Sequence, residues 1–355
     1  MSIEGVRSHN AHKAVPADAH TSTQAPVNGE AQVRALYRAS CVESAAAPYD
    51  RVLSRIYYPA EYGGSAEERN TGLLPAQREG APFPVVIMFP GINVGPEHYT
   101  WLARVLAANN LVFLSFSWVA AELPGHVGLS PGLDLQALAP DSYGRKPSAT
   151  CLPSLLNELE TLNREGVLAG KLDLDSIILG GHSAGGSVAL FNARRQWCPG
   201  LKACFAYGAH AGAATMLGWP EQTLLELPGE VPTLLAGGDN DGVIAASAHR
   251  YGAEAGHPTA IVERSFDEAL PGARGDSWLA VLRGANHFSF AWPRDESAGR
   301  LFLDGEEQQP GGVIRRTIGE LLLDFIAAGI HGSDEAGKRL RARAGDNAFS
   351  VYKNR

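Results

Sequence analysis

Short, continuously apolar runs alternate along this chain with longer amphipathic stretches. Val85-Val86-Ile87-Met88-Phe89 is apolar at every position and stops at Pro90-Gly91, the pattern of a strand buried on both faces. Leu111–Phe116, Ser176–Leu179, Cys204–Tyr207, Pro232–Ala236 and Leu279–Leu282 repeat it, and Val52–Tyr58 is β-prone and ends at Pro59. Between these runs the period changes. Pro96 opens a segment with Tyr99, Leu102, Val105 and Leu106 on one helical face, closed by Asn109-Asn110. Residues 149–165 carry Leu152, Leu155, Leu156, Leu159 and Leu162 at helical spacing, the segment after Ser183 reads as helix, and Val313, Ile314, Ile318, Leu321, Leu322 and Phe325 mark a final one. Strands alternating with helices predict an α/β fold, a mostly parallel central sheet with helices on both faces.

The pattern also sets the domain limits. Residues 1–30 are rich in Ala, Ser, Thr, Pro, Asn and His without apolar periodicity and read as a flexible tail, in which His9 and His12 are solvated rather than metal ligands. Residues 31–331 read as one α/β domain. Residues 332–355 are expected to be a polar C-terminal tail, with Lys338, Arg339, Arg341 and Arg343 on a basic helix face. Residues 60–82 are Gly-, Glu- and Pro-rich and read as a loop, while 117–147 and 208–231 give no clear element; 117–147 is a candidate cap or lid, since long loops in compact domains are usually functional.

Composition narrows the function classes. The formal charge of −8 makes nucleic acid an unfavourable partner, and 45% hydrophobic against 19% charged residues excludes a mainly disordered chain. Four cysteines, Cys41, Cys151, Cys198 and Cys204, lack metal-ligand spacing and are expected as free thiols. No run approaches the length of a membrane span, and the first residues lack the basic and apolar regions of an export signal, so a cytoplasmic location is expected.

The chemistry concentrates in Gly181-His182-Ser183-Ala184-Gly185-Gly186, which follows an apolar run and precedes Ser187-Val188-Ala189-Leu190-Phe191. Gly-x-Ser-x-Gly between a strand and a helix is the context of a nucleophile elbow. Its glycines remove side chains that would collide across the sharp turn, and the helix end beneath the serine favours developing negative charge. A serine hydroxyl needs a base, and the base an orienting carboxylate, in the chain order Ser, acid, His. The acid should follow the strand at 232–236, where Gly238-Asp239-Asn240-Asp241-Gly242 offers two aspartates. Asp241, just before the next helix, is preferred; Asp239 is closer to the strand and suited to a turn. His287, in Gly284-Ala285-Asn286-His287-Phe288, is the histidine at the end of the last strand. The oxyanion would be met by the N–H of Ala184 and of Ile92, the latter in Phe89-Pro90-Gly91-Ile92-Asn93, where Gly91 lets the backbone come close. Substrate contacts are sought at Gly91, at Asn93 (through its side chain, or else in a turn role), at His182 (lining or packing), at His210 (pocket or plain loop) and at Trp118 in the candidate cap.

These segments, Val85–Gly91, Gly181–Gly186, Pro232–Val243 and Gly284–Phe288, resemble the α/β-hydrolase superfamily, and within it the dienelactone-hydrolase-like group with chlorophyllases, platelet-activating-factor acetylhydrolase-like enzymes and cutinase-like esterases. The resemblance spans about residues 50–330. It implies the α/β-hydrolase fold, a Ser183–His287–Asp241 triad, an acyl-enzyme intermediate, no metal or other cofactor, and a small-molecule ester or acyl substrate. Where the cutinase-like enzymes carry an aromatic residue after the oxyanion glycine and Met after the serine, this chain has Ile92 and Ala184. The expected activity is carboxylic ester hydrolysis. The alternatives are an acyltransferase or cyclase using the same acyl-enzyme, and a non-catalytic binding protein on the same fold.

Overall fold

A computed structural model describes residues 32–123, 126–253, 256–272, 274–297 and 299–355. The expected N-terminal tail, with His9 and His12, lies outside them. The strands are β1 (Gln32–Cys41), β2 (Arg51–Ala60), β3 (Phe83–Phe89), β4 (Val112–Leu123), β5 (His126–Leu129), β6 (Leu172–His182), β7 (Leu201–Tyr207), β8 (Thr233–Gly238), β9 (Trp278–Leu282) and β10 (Phe349–Asn354). The helices are α1 (Ala66–Thr71), α2 (Thr100–Ala107), α3 (Leu152–Arg164), α4 (Ala184–Phe191), α5 (Gly242–Ala246), α6 (Ala260–Arg264), α7 (Gly311–His331) and α8 (Asp334–Ala342).

The ten strands form one mixed sheet in the order β1-β2-β4-β3-β6-β7-β8-β9-β10, with β5 beside β4. Its centre, from β4 through β3, β6, β7 and β8 to β9, is parallel, and antiparallel strands close both edges. All seven residues of β3 are buried, because its side chains alternate between two cores. Val85, Ile87 and Phe89 join Leu155, Leu159 and Leu190 of α3 and α4 on one face. Val86 and Met88 join Leu102 and Leu106 of α2 and Ile318, Leu322 and Phe325 of α7 on the other.

One expectation fails at the periphery. Residues 332–355 are not a tail. Ser333 caps α8 by accepting from Ala336 N, Ala336 and Leu340 are buried, and β10 pairs antiparallel with β9. Two charges of the basic helix face reach a buried partner: Asp324 of α7, only 6% exposed, accepts from Arg339 (2.7 Å) and Arg343 (3.0 Å). Residues 117–147, the candidate cap or lid, comprise the end of β4, its antiparallel partner β5 and a connection packed on 208–231. There the Trp219 indole donates to Leu138 O (2.7 Å) and the Tyr143 hydroxyl to Glu226 O (2.6 Å).

No helix among the described residues is long and apolar enough to cross a membrane. The four cysteines carry no disulfide; three are buried, and burial pushes the thiol of Cys198 up to about 12.

Candidate active site

The parallel strands converge on one edge, where β6 ends at His182 and α4 starts at Ala184. Ser183 sits between them at φ 57, ψ −130, a backbone conformation that non-glycine residues rarely hold. The neighbours explain how it is held. A Cβ on Gly181 would overlap Gly185 O, and one on Gly185 would overlap the carbonyls of Phe89 and Pro90. The Ser183 N–H donates to Tyr207 O (2.9 Å), and its hydroxyl does not cap α4, so the side chain is not committed to the helix.

Asp241 and His287 meet at the ends of β8 and β9. Both are nearly sealed from solvent, at 2% and 1% exposed. Asp241 caps α5 with Oδ1, which accepts from Ile244 N (2.8 Å), and presents Oδ2 to His287 Nδ1 at 2.8 Å. With Nδ1 donating to the carboxylate, the lone pair of His287 Nε2 is left free to accept a proton. Burial pushes the imidazole pKa down. The charge and hydrogen bond of Asp241 overcome that and leave it raised, with Asp304 helping and Arg300 opposing. Gly208, at φ 59 just past β7, makes room for the pair: a Cβ there would lie 2.8 Å from His287 Nδ1 and 3.2 Å from Asp241 Oδ2. Asp239 serves the turn, its Oδ1 accepting from Gly284 N (2.7 Å). The preferred acid is therefore the one that reaches the histidine.

The loop after β3 reaches the same edge. A Cβ on Gly91 would stand 3.3 Å from Ser183 Cβ. Ile92 follows it, 38% exposed. The Ala184 N–H is the first donor of α4, which a helix leaves without an internal partner. Asn93, at φ 56, takes the turn role: its N–H donates to Leu129 O (2.9 Å) and its Oδ1 accepts from Leu129 N (3.0 Å), tying this loop to β5.

Of its two readings, His182 takes the packing one. It is fully buried, and burial holds its imidazole neutral by pushing the pKa well below the ordinary value. Gly91 N–H donates to the Tyr99 hydroxyl (2.9 Å), and that hydroxyl donates to His182 Nδ1 (3.0 Å). His182 Nε2–H then donates to the carbonyl of His287 (3.0 Å). This relay braces the loop after β3, the elbow and the His287 loop against one another. Tyr99 was legible only as a core residue of a helix face; its second role had no sequence signal.

The expectation for Trp118 is corrected, and His210 takes the loop alternative. Trp118 lies in the core, its indole donating to Tyr49 O (2.8 Å) and its ring packed over Gly132, because β4 continues as a strand and does not rise into a cap. His210 is a buried loop histidine: its Nδ1 accepts from Gly212 N (3.0 Å), its ring meets Tyr251 edge-on at 4.5 Å, and burial lowers its pKa to about 4. Asp304, unnoticed in the sequence, accepts from the N–H groups of both His287 and Phe288. Among the described residues, no group of three or more His, Cys, Asp or Glu side chains is placed to hold a metal.

Chemically, the edge offers a hydroxyl on a strained turn that does not cap its helix, an imidazole oriented by a buried carboxylate, and backbone donors at a helix start. No protein-family model matches the chain, and no curated protein matches it.

Proposed function

We propose that the chain is an α/β-hydrolase-fold serine esterase that cleaves a carboxylic ester through an acyl-enzyme. The observation that carries this reading is the buried 2.8 Å Asp241–His287 pair at the same edge of the parallel sheet as a serine held at φ 57 on a strand-to-helix turn. In this scheme His287 Nε2 takes the Ser183 proton as Oγ attacks the ester carbonyl. Asp241 holds the imidazole in the Nδ1–H tautomer and stabilises the imidazolium. The N–H groups of Ala184 and Ile92 meet the oxyanion, an arrangement in which losing one donor typically costs about 10²–10³ in rate. Collapse of the tetrahedral species breaks the ester C–O bond, and the imidazolium gives its proton to the leaving alcohol. Water then attacks the acyl-enzyme, His287 taking its proton, and the acid and the Ser183 hydroxyl are released. No cofactor enters the scheme.

A mainly apolar cavity of about 200 Å³, whose lining also includes His257 and Arg264 but neither Ser183 nor His287, lies next to the helix that Asp241 caps, and in this reading it takes an apolar group of the substrate. It is lined by Leu224, Ile244, Ala245, Ala248, Tyr251 and Ile261, and Ile244 is the residue whose N–H binds Asp241. An empty apolar cavity of ~150 Å³ admits a benzene ring, so this one suits a short aliphatic chain or a single ring.

The test is hydrolysis of p-nitrophenyl esters of graded acyl length, with the released acid identified. Wild type is expected to turn over these esters. Ala248→Phe, which fills the cavity, is expected to cut kcat/KM for the longer acyl groups by about tenfold or more, the scale on which apolar pockets discriminate, while sparing the acetate. Absence of ester turnover by folded protein would contradict the reading. Equal losses for every chain length would remove the cavity from substrate recognition.

A further inference from the structure

The segment leading into α7 carries an aspartate that the hydrolytic scheme has not used. Asp304 Oδ1 accepts from Gly242 N (3.1 Å) and His287 N (3.1 Å), as well as from its neighbour Gly305 N (3.1 Å). Its Oδ2 accepts from Phe288 N (3.0 Å). Gly242 follows Asp241, and Phe288 follows His287, so one carboxylate bridges the loop of the acid to the loop of the base. The approach needs a glycine at 242, where a Cβ would overlap Leu303 O. Nearby ties keep the same segment in place: Asn286 Nδ2 donates to Gly305 O (2.5 Å) and Asn240 Nδ2 to Glu306 O (2.5 Å).

We propose that Asp304 is a positioning residue for the base: it holds the acid and histidine loops in register and adds a second negative charge beside His287. The assignment rests on the serine-esterase reading for its rate consequence, but its effect on His287 is independent of it. An ionised carboxylate is the form that accepts from all these N–H groups at once. Burial and the charge of Asp241 raise the Asp304 pKa, while the N–H donors of Phe288 and His287 and the charge of His287 work the other way. The groups facing His287 are few. Asp241 comes from the end of β8, and Asp304 and Arg300 from the segment before α7. His182 from β6 and His210 from the loop after β7 are both held neutral by burial. Glu307, beyond Asp304, is occupied in accepting from the Ser289 hydroxyl (2.7 Å). Removing the Asp304 charge therefore leaves Asp241 as the anion bonded to His287, with Arg300 still opposing it.

The experiment compares Asp304→Asn, Asp304→Glu and a control, Asp324→Asn, which removes a buried, ion-paired carboxylate in α7 remote from this edge. The full chain is used, with histidines labelled at ¹³Cε1 and His287→Ala to assign the resonance. Two readouts are taken: the His287 titration midpoint by NMR, and kcat/KM for p-nitrophenyl butyrate across pH. In Asp304→Asn one bridging oxygen becomes a donor, and kcat/KM is expected to fall about 10- to 100-fold, the cost of a small misplacement. The His287 midpoint and the acidic limb of the profile should move to lower pH, because the imidazolium has lost a stabilising charge. Asp324→Asn should lower the melting temperature and move neither.

Folded Asp304→Asn with kcat/KM within about threefold of wild type and an unmoved midpoint would overturn the proposal. So would a rate loss with an unmoved midpoint matched by Asp324→Asn, which would mark the loss as merely structural. If Asp304→Asn does not fold, Asp304→Glu decides: it keeps the charge but displaces it, and is expected to keep the raised midpoint while losing about tenfold in kcat/KM; wild-type kcat/KM would overturn the assignment. If wild type hydrolyses no ester, the titration decides alone: a lowered midpoint sustains Asp304 while the esterase reading fails, and an unmoved one overturns Asp304.

Discussion

Replacing Ser183 with alanine is expected to reduce kcat for ester hydrolysis by roughly 10⁵–10⁶, the scale seen when the nucleophile of a triad is removed. The residue supplies the only atom that can form the acyl-enzyme in the scheme above, and no neighbouring hydroxyl shares its place on the turn. The fold should survive. The Ser183 side chain does not cap α4, and the turn is held by backbone groups: Ser183 N–H on Tyr207 O, and the glycines at 181 and 185 packed against carbonyls. Alanine must occupy the same φ of 57 that serine does, so the strain is common to both. The melting temperature should stay within about 1–2 °C of wild type, equivalent to about 1 kcal/mol in a chain of 355 residues. Steady-state rates and a thermal melt on one preparation check both halves.

The second large effect is expected for Asp241→Asn, with kcat/KM falling by about 10⁴ while Asp239→Asn loses less than about tenfold. The two aspartates are two residues apart, yet only Asp241 bonds to His287 Nδ1; Asp239 accepts from the Gly284 N–H, and asparagine accepts there equally well. Asparagine at 241 can also still cap α5, so stability is spared while the imidazole tautomer is lost. The pH dependence has a definite sign. The Asp241 charge raises the His287 pKa, and the base works only when neutral, so wild-type activity falls as pH drops through that raised value. In Asp241→Asn the residual activity should keep its acidic limb at lower pH. Rate profiles of both variants test this, and a larger loss from Asp239→Asn would reassign the acid.

What the sequence disclosed follows from how local each signal is. The central strands were legible because a strand buried on both faces must be apolar at every position, as Val85–Phe89 is. The elbow was legible because a tight strand-to-helix turn demands glycine at fixed offsets. The edges were not. β1 alternates half-buried and exposed positions and is held in part by Arg38 and Ser40 on Glu158 of α3 (2.6 and 2.8 Å), partners more than a hundred residues away. The buried partner of Arg339 and Arg343 was not legible because Asp324 sits in a different helix. Asp304 and Tyr99 escaped for the same reason. A carboxylate that binds Gly242 and His287, or a hydroxyl that joins Gly91 to His182, is defined by groups that only the folded chain brings together. Trp118 erred in the opposite direction: its long, irregular surroundings suggested a cap, while its own position continued a strand.

The central claim is that Ser183 is an activated nucleophile, and reaction with a fluorophosphonate followed by peptide mapping tests it most directly. The probe should modify Ser183 of the wild type, and His287→Ala should slow that modification by about 10² or more, as expected when a general base is removed. Folded wild type that takes up no probe, or Ser183 modification that proceeds equally without His287, would contradict the account.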